Sequence, residues 1–127
     1  MLNFLYCFDS NYNIQATLSI YSLLEEVDKK INVYIIHKDN SFLDVLNKKI
    51  TNHKNLNTIE VFEFNEKNID FPNLKNNHIS EATYYRLFIS QYLPKEIRHI
   101  TYLDADTICT NNPSNEILNI QQNLDQK

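Results

Sequence analysis

Not one of the 127 residues is glycine, and that absence narrows the folds and sites open to the chain more than any other feature. Glycine enters the left-handed backbone region without steric cost, so the turns here must be built from Asn, Asp or Ser. The chain holds 19 asparagines, and asparagine is the next residue to tolerate positive φ. Asn-Asn, Asn-Lys and Asp-Asn pairs are therefore the expected turns. Glycine-rich phosphate cradles are excluded outright, since neither G-x-G-x-x-G nor G-x-x-x-x-G-K-[ST] can be written. A diphosphate bound by this chain would have to be held another way, most directly through a cation.

The hydropathy pattern alternates strand and helix signals. Leu2 to Phe8, Ile31 to His37, Thr58 to Phe64 and Ile97 to Leu103 are short apolar runs that read as strands. Between them, Ile14, Leu18, Tyr21 and Leu24 recur at helical spacing, closed by Glu25, Glu26 and Asp28. Ser41 is the expected cap of a helix with Phe42, Val45, Leu46 and Ile50 on its apolar side. Asn65 to Asn77 reads as a connecting loop, broken by Phe71-Pro72, and Ser80 as the cap of a helix that Pro94 ends. After Pro113 the pattern supports about one helical turn, and Gln121 to Lys127 is polar enough to be disordered. Alternation of this kind predicts a mostly parallel α/β sheet covered on both faces. The right-handed crossover rule then gives the strand order 3-2-1-4.

The fourth strand ends in Tyr102-Leu103-Asp104-Ala105-Asp106-Thr107. In an extended backbone, residues i and i+2 point to one side, so Asp104 and Asp106 would offer two carboxylates to the same space. Such a pair suits a hard divalent cation, manganese or magnesium. Spacing alone leaves a turn or capping role open as the alternative. The position at the carboxyl end of a buried strand favours a ligand site, because open α/β sheets bind there. Asp9, at the end of the first strand, is likewise open between a ligand contact and the cap of a helix beginning near Asn13.

Composition bounds the rest. The length fits one domain, and the formal charge of -4 without a basic cluster argues against nucleic acid as the main partner. No apolar run approaches a membrane span, and the start lacks the features of a signal peptide, so a cytoplasmic protein is expected. Cys7 and Cys109 have no neighbouring zinc-ligand pattern and read as buried, reduced thiols. Cys109 also lacks a matched histidine base, which disfavours a nucleophile reading. His37 and His53 receive no role.

Three ordered segments resemble the nucleotide-sugar half of the retaining glycosyltransferases of family 8, the group of the bacterial lipooligosaccharide galactosyltransferases and the glycogenins. They are Phe8-Asp9-Ser10-Asn11-Tyr12, then His78-Ile79-Ser80 leading into Thr83-Tyr84-Tyr85-Arg86, and last Tyr102-Leu103-Asp104-Ala105-Asp106. The resemblance covers nearly the whole chain. It implies a GT-A fold, a Rossmann-like α/β sandwich, with residues 1–127 as its N-terminal donor-binding part. It further implies a UDP-sugar donor, with Asp9 on the uracil side and Asn11 and Tyr12 beside the base and ribose. Phe8, His78, Ile79 and Ala105 would line the same donor site. Arg86 would reach the donor sugar and the aspartate pair, while Asp104 and Asp106 would hold manganese or magnesium and the diphosphate. The implied acceptor is a carbohydrate, lipid-linked or protein hydroxyl, as in lipopolysaccharide biosynthesis, with peripheral attachment at the inner membrane face and an oligomer as further expectations.

Members of that family are typically about twice this long for a single catalytic domain. Their second half carries a metal-ligand histidine and a His-Gly loop with a lysine on the diphosphate, and neither has a counterpart here: His99 precedes the aspartate pair and no histidine follows it. Two other readings stand beside the transferase. One is a non-catalytic remnant that keeps part of the donor site. The other is a phosphohydrolase of the haloacid dehalogenase type, disfavoured because its D-x-D usually opens the domain.

Overall fold

The computed structural model describes residues 1–65, 85 and 88–126. Four strands, β1 (Asn3–Phe8), β2 (Ile31–His37), β3 (Leu56–Glu63) and β4 (Thr101–Leu103), form one all-parallel sheet in the order β3-β2-β1-β4. This is the expected topology, with β1 at the centre. Between the strands lie α1 (Asn13–Glu26), the short α2 (Phe42–Val45) and α3 (Lys48–Thr51), and α4 (Ile89–Tyr92); α5 (Ser114–Asp125) follows β4.

Side chains alternate across a strand, so β1 feeds two cores at once. Phe4, Tyr6 and Phe8 join Val33 and Ile35 of β2 against Ala16, Ile20, Leu23 and Leu24 of α1. Leu5 and Cys7 point to the opposite face, with Tyr34, Ile36, Phe64, Tyr85 and Leu93. Burial on both faces explains why β1 and β2 read as near-continuous apolar runs.

Several elements differ from the sequence reading. The stripe of α1 that packs on the sheet is Ala16, Ser19, Ile20, Leu23 and Leu24, whereas Ile14 and Leu18 are 75% and 56% exposed. Small residues at 16 and 19 allow the helix to approach the sheet closely, and the branched pair at 14 and 18 is turned outward. The single helix expected after Ser41 is two, because Leu46 is extended and the Asn47 side chain accepts from Lys49 N–H at 2.8 Å to start α3 afresh. Ser41 makes no side-chain cap; its own N–H donates to Asp39 Oδ1 at 2.9 Å. β4 is confined to Thr101–Leu103: Ile97 N–H closes a turn by bonding back to the Pro94 carbonyl at 3.3 Å, and residues 97–100 are irregular.

The largest difference is α5, twelve residues long where one turn and a disordered tail were expected. Ile117 packs against the α1-side core, and at the helix end Arg98 donates to Asp125 Oδ1 at 3.0 Å. His99 Nε2 lies 2.9 Å from the same oxygen but off the hydrogen-bonding direction. Among the described residues no non-glycine residue has positive φ. The asparagines serve as caps and cross-links instead: Asn57 and Thr58 donate to Asn32, Asn32 to Asn3, and Asn3 to the His99 carbonyl, a ladder across the amino end of the sheet. The expected loop at 65–77 and the Ser80 cap lie outside the described residues, apart from Asn65.

Candidate functional site

The carboxyl edge of the sheet gathers the ends of β1, β2 and β4. Phe8 pairs in register with His37, and Tyr6 with Leu103, so Asp9, Lys38 and Asp104 each leave the same edge. Asp9 and Asp104 thus emerge from adjacent parallel strands, as the strand order predicts.

Asp9 opens a 3-10 turn, Ser10–Tyr12, rather than capping α1 itself. Its Oδ1 accepts from Asn11 N–H at 2.9 Å, and its carbonyl accepts from Tyr12 N–H at 3.0 Å. The turn delivers the chain into α1, leaving Asn11 exposed and Tyr12 half-buried against the core. Phe8, by contrast, is buried, edge-on to His37 and Phe42. Its side chain is core, which leaves its backbone as the part able to touch a ligand.

The aspartate pair does not sit on an extended strand. β4 stops at Leu103, and Asp104 to Thr107 form a turn in which Thr107 N–H donates to the Asp104 carbonyl at 3.3 Å and its hydroxyl to the same oxygen at 2.7 Å. The turn pivots on Ala105, 7% exposed and packed in the α1-side core, with Asp104 and Asp106 exposed on either side of it. A methyl group at the central position is the physical reason both carboxylates face water. Ala105, like Phe8, has no free side chain to offer. The two carboxylates fit a hard cation by donor type, and solvent exposure leaves its other positions to water or phosphate oxygens. Among the described residues no group of three or more His, Cys, Asp or Glu side chains converges. His78, Ile79 and Arg86 lie outside the described residues.

His37 was missed in the sequence, where its place at the end of an apolar strand was the available signal. It is wholly buried, stacked on Phe42, and its two ring nitrogens are both used. Nδ1 accepts from Asp39 N–H at 2.8 Å, so Nε2 carries the proton and donates to Asn13 Oδ1 at 2.8 Å. Burial holds its pKa below the ordinary histidine value, against the smaller opposing pull of Asp39 and Asp9. A neutral imidazole therefore ties the start of α1 to the loop after β2. Cys109 is half-buried, its thiol donating to the Asn111 carbonyl at 3.0 Å, and burial pushes its pKa up, the reverse of an activated nucleophile.

A parallel α/β sheet whose loops carry acidic residues at the carboxyl ends of β1 and its edge neighbour β4 defines the class of open-sheet α/β domains. Within that class the chain belongs to glycosyl transferase family 8, whose profile matches residues 3–126. A Haemophilus influenzae (strain Rd) protein with the provisional name of a glycosyltransferase is 33% identical over 122 residues, covering 94% of this chain and 36% of the relative. The fold is similar to that of the galactosyltransferase LgtC, solved with donor and acceptor sugar analogs, at a TM-score of 0.76 and 18% identity over 91% of this chain and 41% of LgtC. It is also similar to the bifunctional glycosyltransferase WbbM in its apo form, with a TM-score of 0.64 and 21% identity over 93% of this chain and 20% of WbbM. The GT-A architecture is thereby established, and the chain spans well under half the length of each of these proteins.

Proposed function

We propose that this chain is the donor-binding part of a metal-dependent hexosyltransferase that uses a UDP-sugar and transfers with retention to an acceptor hydroxyl on a carbohydrate, lipid-linked or protein substrate. The observation that carries this reading is the emergence of the Asp9 turn and the Asp104–Thr107 turn side by side at the carboxyl edge of adjacent strands. One turn would receive the nucleoside, through Asp9, Asn11 and Tyr12. The other would face the diphosphate, with Asp104 and Asp106 as ligands of manganese or magnesium; His78, Ile79 and Arg86 would complete the sugar side. Cytoplasmic UDP-sugar use, at the inner membrane face for a lipid-linked acceptor, fits this reading. Among the described residues no helix is long and apolar enough to cross a membrane.

Transfer breaks the bond between the sugar's anomeric carbon and the diphosphate oxygen and joins that carbon to the acceptor oxygen, so negative charge grows on the departing UDP. A divalent cation, when bound, neutralises that charge as a Lewis acid. The chain's own part is to hold the base, fix the two carboxylates and present the diphosphate in one orientation, which is catalysis by positioning.

Two carboxylates supply only part of the roughly six oxygen ligands such a cation takes. Metal alone should therefore bind weakly, and UDP and manganese should each tighten the other. Calorimetric titration of UDP with and without manganese, in wild type and Asp106→Asn, tests this. The substitution keeps shape and removes a charge, so the metal-dependent part of the affinity should vanish while the fold is kept. UDP binding indifferent to both manganese and Asp106→Asn would return the pair to a plain turn. A nucleotide-binding role without transfer is the second reading for these 127 residues taken by themselves, which span 36% and 41% of the two relatives. Family membership disfavours the phosphohydrolase.

A further inference from the structure

A line of hydroxyl groups runs from the middle of the sheet to the aspartate turn. Tyr6 Oη lies 2.9 Å from Ser19 Oγ, Ser19 Oγ lies 3.3 Å from Thr107 Oγ1, and Thr107 Oγ1 lies 2.7 Å from the Asp104 carbonyl. The carbonyl can only accept, so Thr107 gives it its single proton. Thr107 must then accept from Ser19, and Ser19 from Tyr6. The chain of donors runs one way, from Tyr6 to Asp104. Burial pushes the Tyr6 pKa up to about 12, which keeps the phenol protonated at the head of the line. One turn further along α1, Ser22 Oγ accepts from Cys109 N–H at 2.9 Å and donates to the Ser19 carbonyl at 2.7 Å, a second tie to the same segment.

Ala105 packs one side of this turn into the α1-side core, and the Thr107 side is looser. A cavity of about 130 Å³ opens beside it, lined by Tyr6, Ser19, Leu103, Thr107 and Cys109 among others. With free volume next to the Thr107 side, the hydrogen bonds add to the packing of Ala105 in holding the turn. They also join it to α1, the helix that begins immediately after the Asp9–Tyr12 turn.

We infer that Thr107 and Ser19 are positioning residues for the aspartate pair: the Tyr6–Ser19–Thr107 line fixes the Asp104 peptide and so sets the two carboxylates for a divalent cation. The inference rests on the cation reading of Asp104 and Asp106. Partners of this outer kind are typically worth about 10–100-fold in metal affinity.

The test uses the 127-residue chain in five proteins: wild type, Asp106→Asn, Thr107→Val, Thr107→Ser and Ser19→Ala. The readout is the ratio of UDP affinity with manganese to that without, alongside the thermal midpoint. Valine keeps the shape and deletes the acceptor of the buried Ser19 hydroxyl, so the midpoint reads any cost to the fold separately from the ratio. The ratio should fall about tenfold in Thr107→Val and return in Thr107→Ser. A Thr107→Val protein that keeps the wild-type ratio overturns the inference and leaves the cation reading standing. A fall that serine fails to restore overturns it as well. A wild-type ratio of one, unchanged in Asp106→Asn, removes the cation reading and this inference with it. Ser19→Ala breaks the line at a second point and must lower the ratio in the same direction for the inference to hold.

Discussion

At the scale of single residues, the site edge owes its order to groups that never face the ligand. His37 is the example with a measurable signature. Its buried neutral ring donates to Asn13 and accepts from Asp39, and burial lowers its pKa from the ordinary 6.5. As pH falls through about 6.5 the unfolded chain takes this proton before the folded one does. The unfolded state then binds more protons, so stability must fall with pH until the folded group also titrates. Urea midpoints at pH 7.5 and 5.5 should therefore drop toward acid in wild type, and the drop should be shallower in His37→Gln. The slope is diagnostic, because His37→Gln can lower stability at every pH without touching it. Identical slopes in the two proteins would show that His37 does not carry the acid sensitivity. Such a residue is hard to find from sequence, since a histidine at a strand end looks the same whether solvated or locked in place. Asp9 and the aspartate pair were legible for the opposite reason: acids at the ends of apolar runs have few places to go. Their local backbone was not, because a one-residue difference in where β4 stops converts an extended pair into a turn.

At the scale of elements, glycine's absence shaped the chain differently from the simple expectation. With positive φ unused among the described residues, asparagine's side-chain amide became the recurring connector. Asn55 is the clearest case, its Nδ2 donating to the Leu24 carbonyl at 3.1 Å and the Val27 carbonyl at 2.7 Å, where α1 runs out of internal partners. Its own carbonyl accepts from Ile31 N–H at 2.9 Å as β2 begins. Asn55→Ala should cost about 1–3 kcal/mol by urea unfolding, because it strips two partly buried carbonyls of a donor. Asn57→Ala, removing one exposed bond to Asn32, should stay within about 0.5 kcal/mol. Equal losses in the two variants would mean that Asn55 does not cap α1. Periodicity identified α1, β1 and β2 well, since long apolar repeats dominate the local choice. It placed Leu24 and Tyr21 of α1 on the core side but misplaced Ile14 and Leu18, which are more hydrophobic than Ala16 and Ser19, yet close approach to the sheet needs the smaller pair. It missed most of α5 for a related reason: Ile117 packs on the α1-side core and Asp125 meets Arg98, tertiary contacts that polar composition does not reveal.

At the scale of the whole molecule, the strand order followed from topology rules alone, and it is this order that brings the two acidic turns to one edge. Which chemistry that edge completes depends on what else reaches it. The described residues place two carboxylates on one turn and hold no cluster of three metal-ligand side chains, and the chain spans 36% of its Haemophilus influenzae relative and 41% of LgtC. Binding a nucleotide and transferring a sugar make different demands. Binding needs a base contact and a place for the diphosphate, whereas transfer also needs the donor sugar and an acceptor hydroxyl held in reacting geometry, and that orientation is worth up to about 7–11 kcal/mol of the barrier. The purified 127-residue chain, given manganese and UDP-galactose or UDP-glucose with saccharide acceptors, is therefore expected to bind UDP and to form no glycoside. Calorimetry reads the binding, and chromatography of the reaction on a radiolabelled donor reads the transfer, since glycoside separates from free hexose and unreacted donor. Glycoside product would contradict the expectation, and its dependence on protein concentration would say how: a rate rising with the square of concentration means that a second copy completes the site, and a linear rate means that one chain already holds every group the transfer requires.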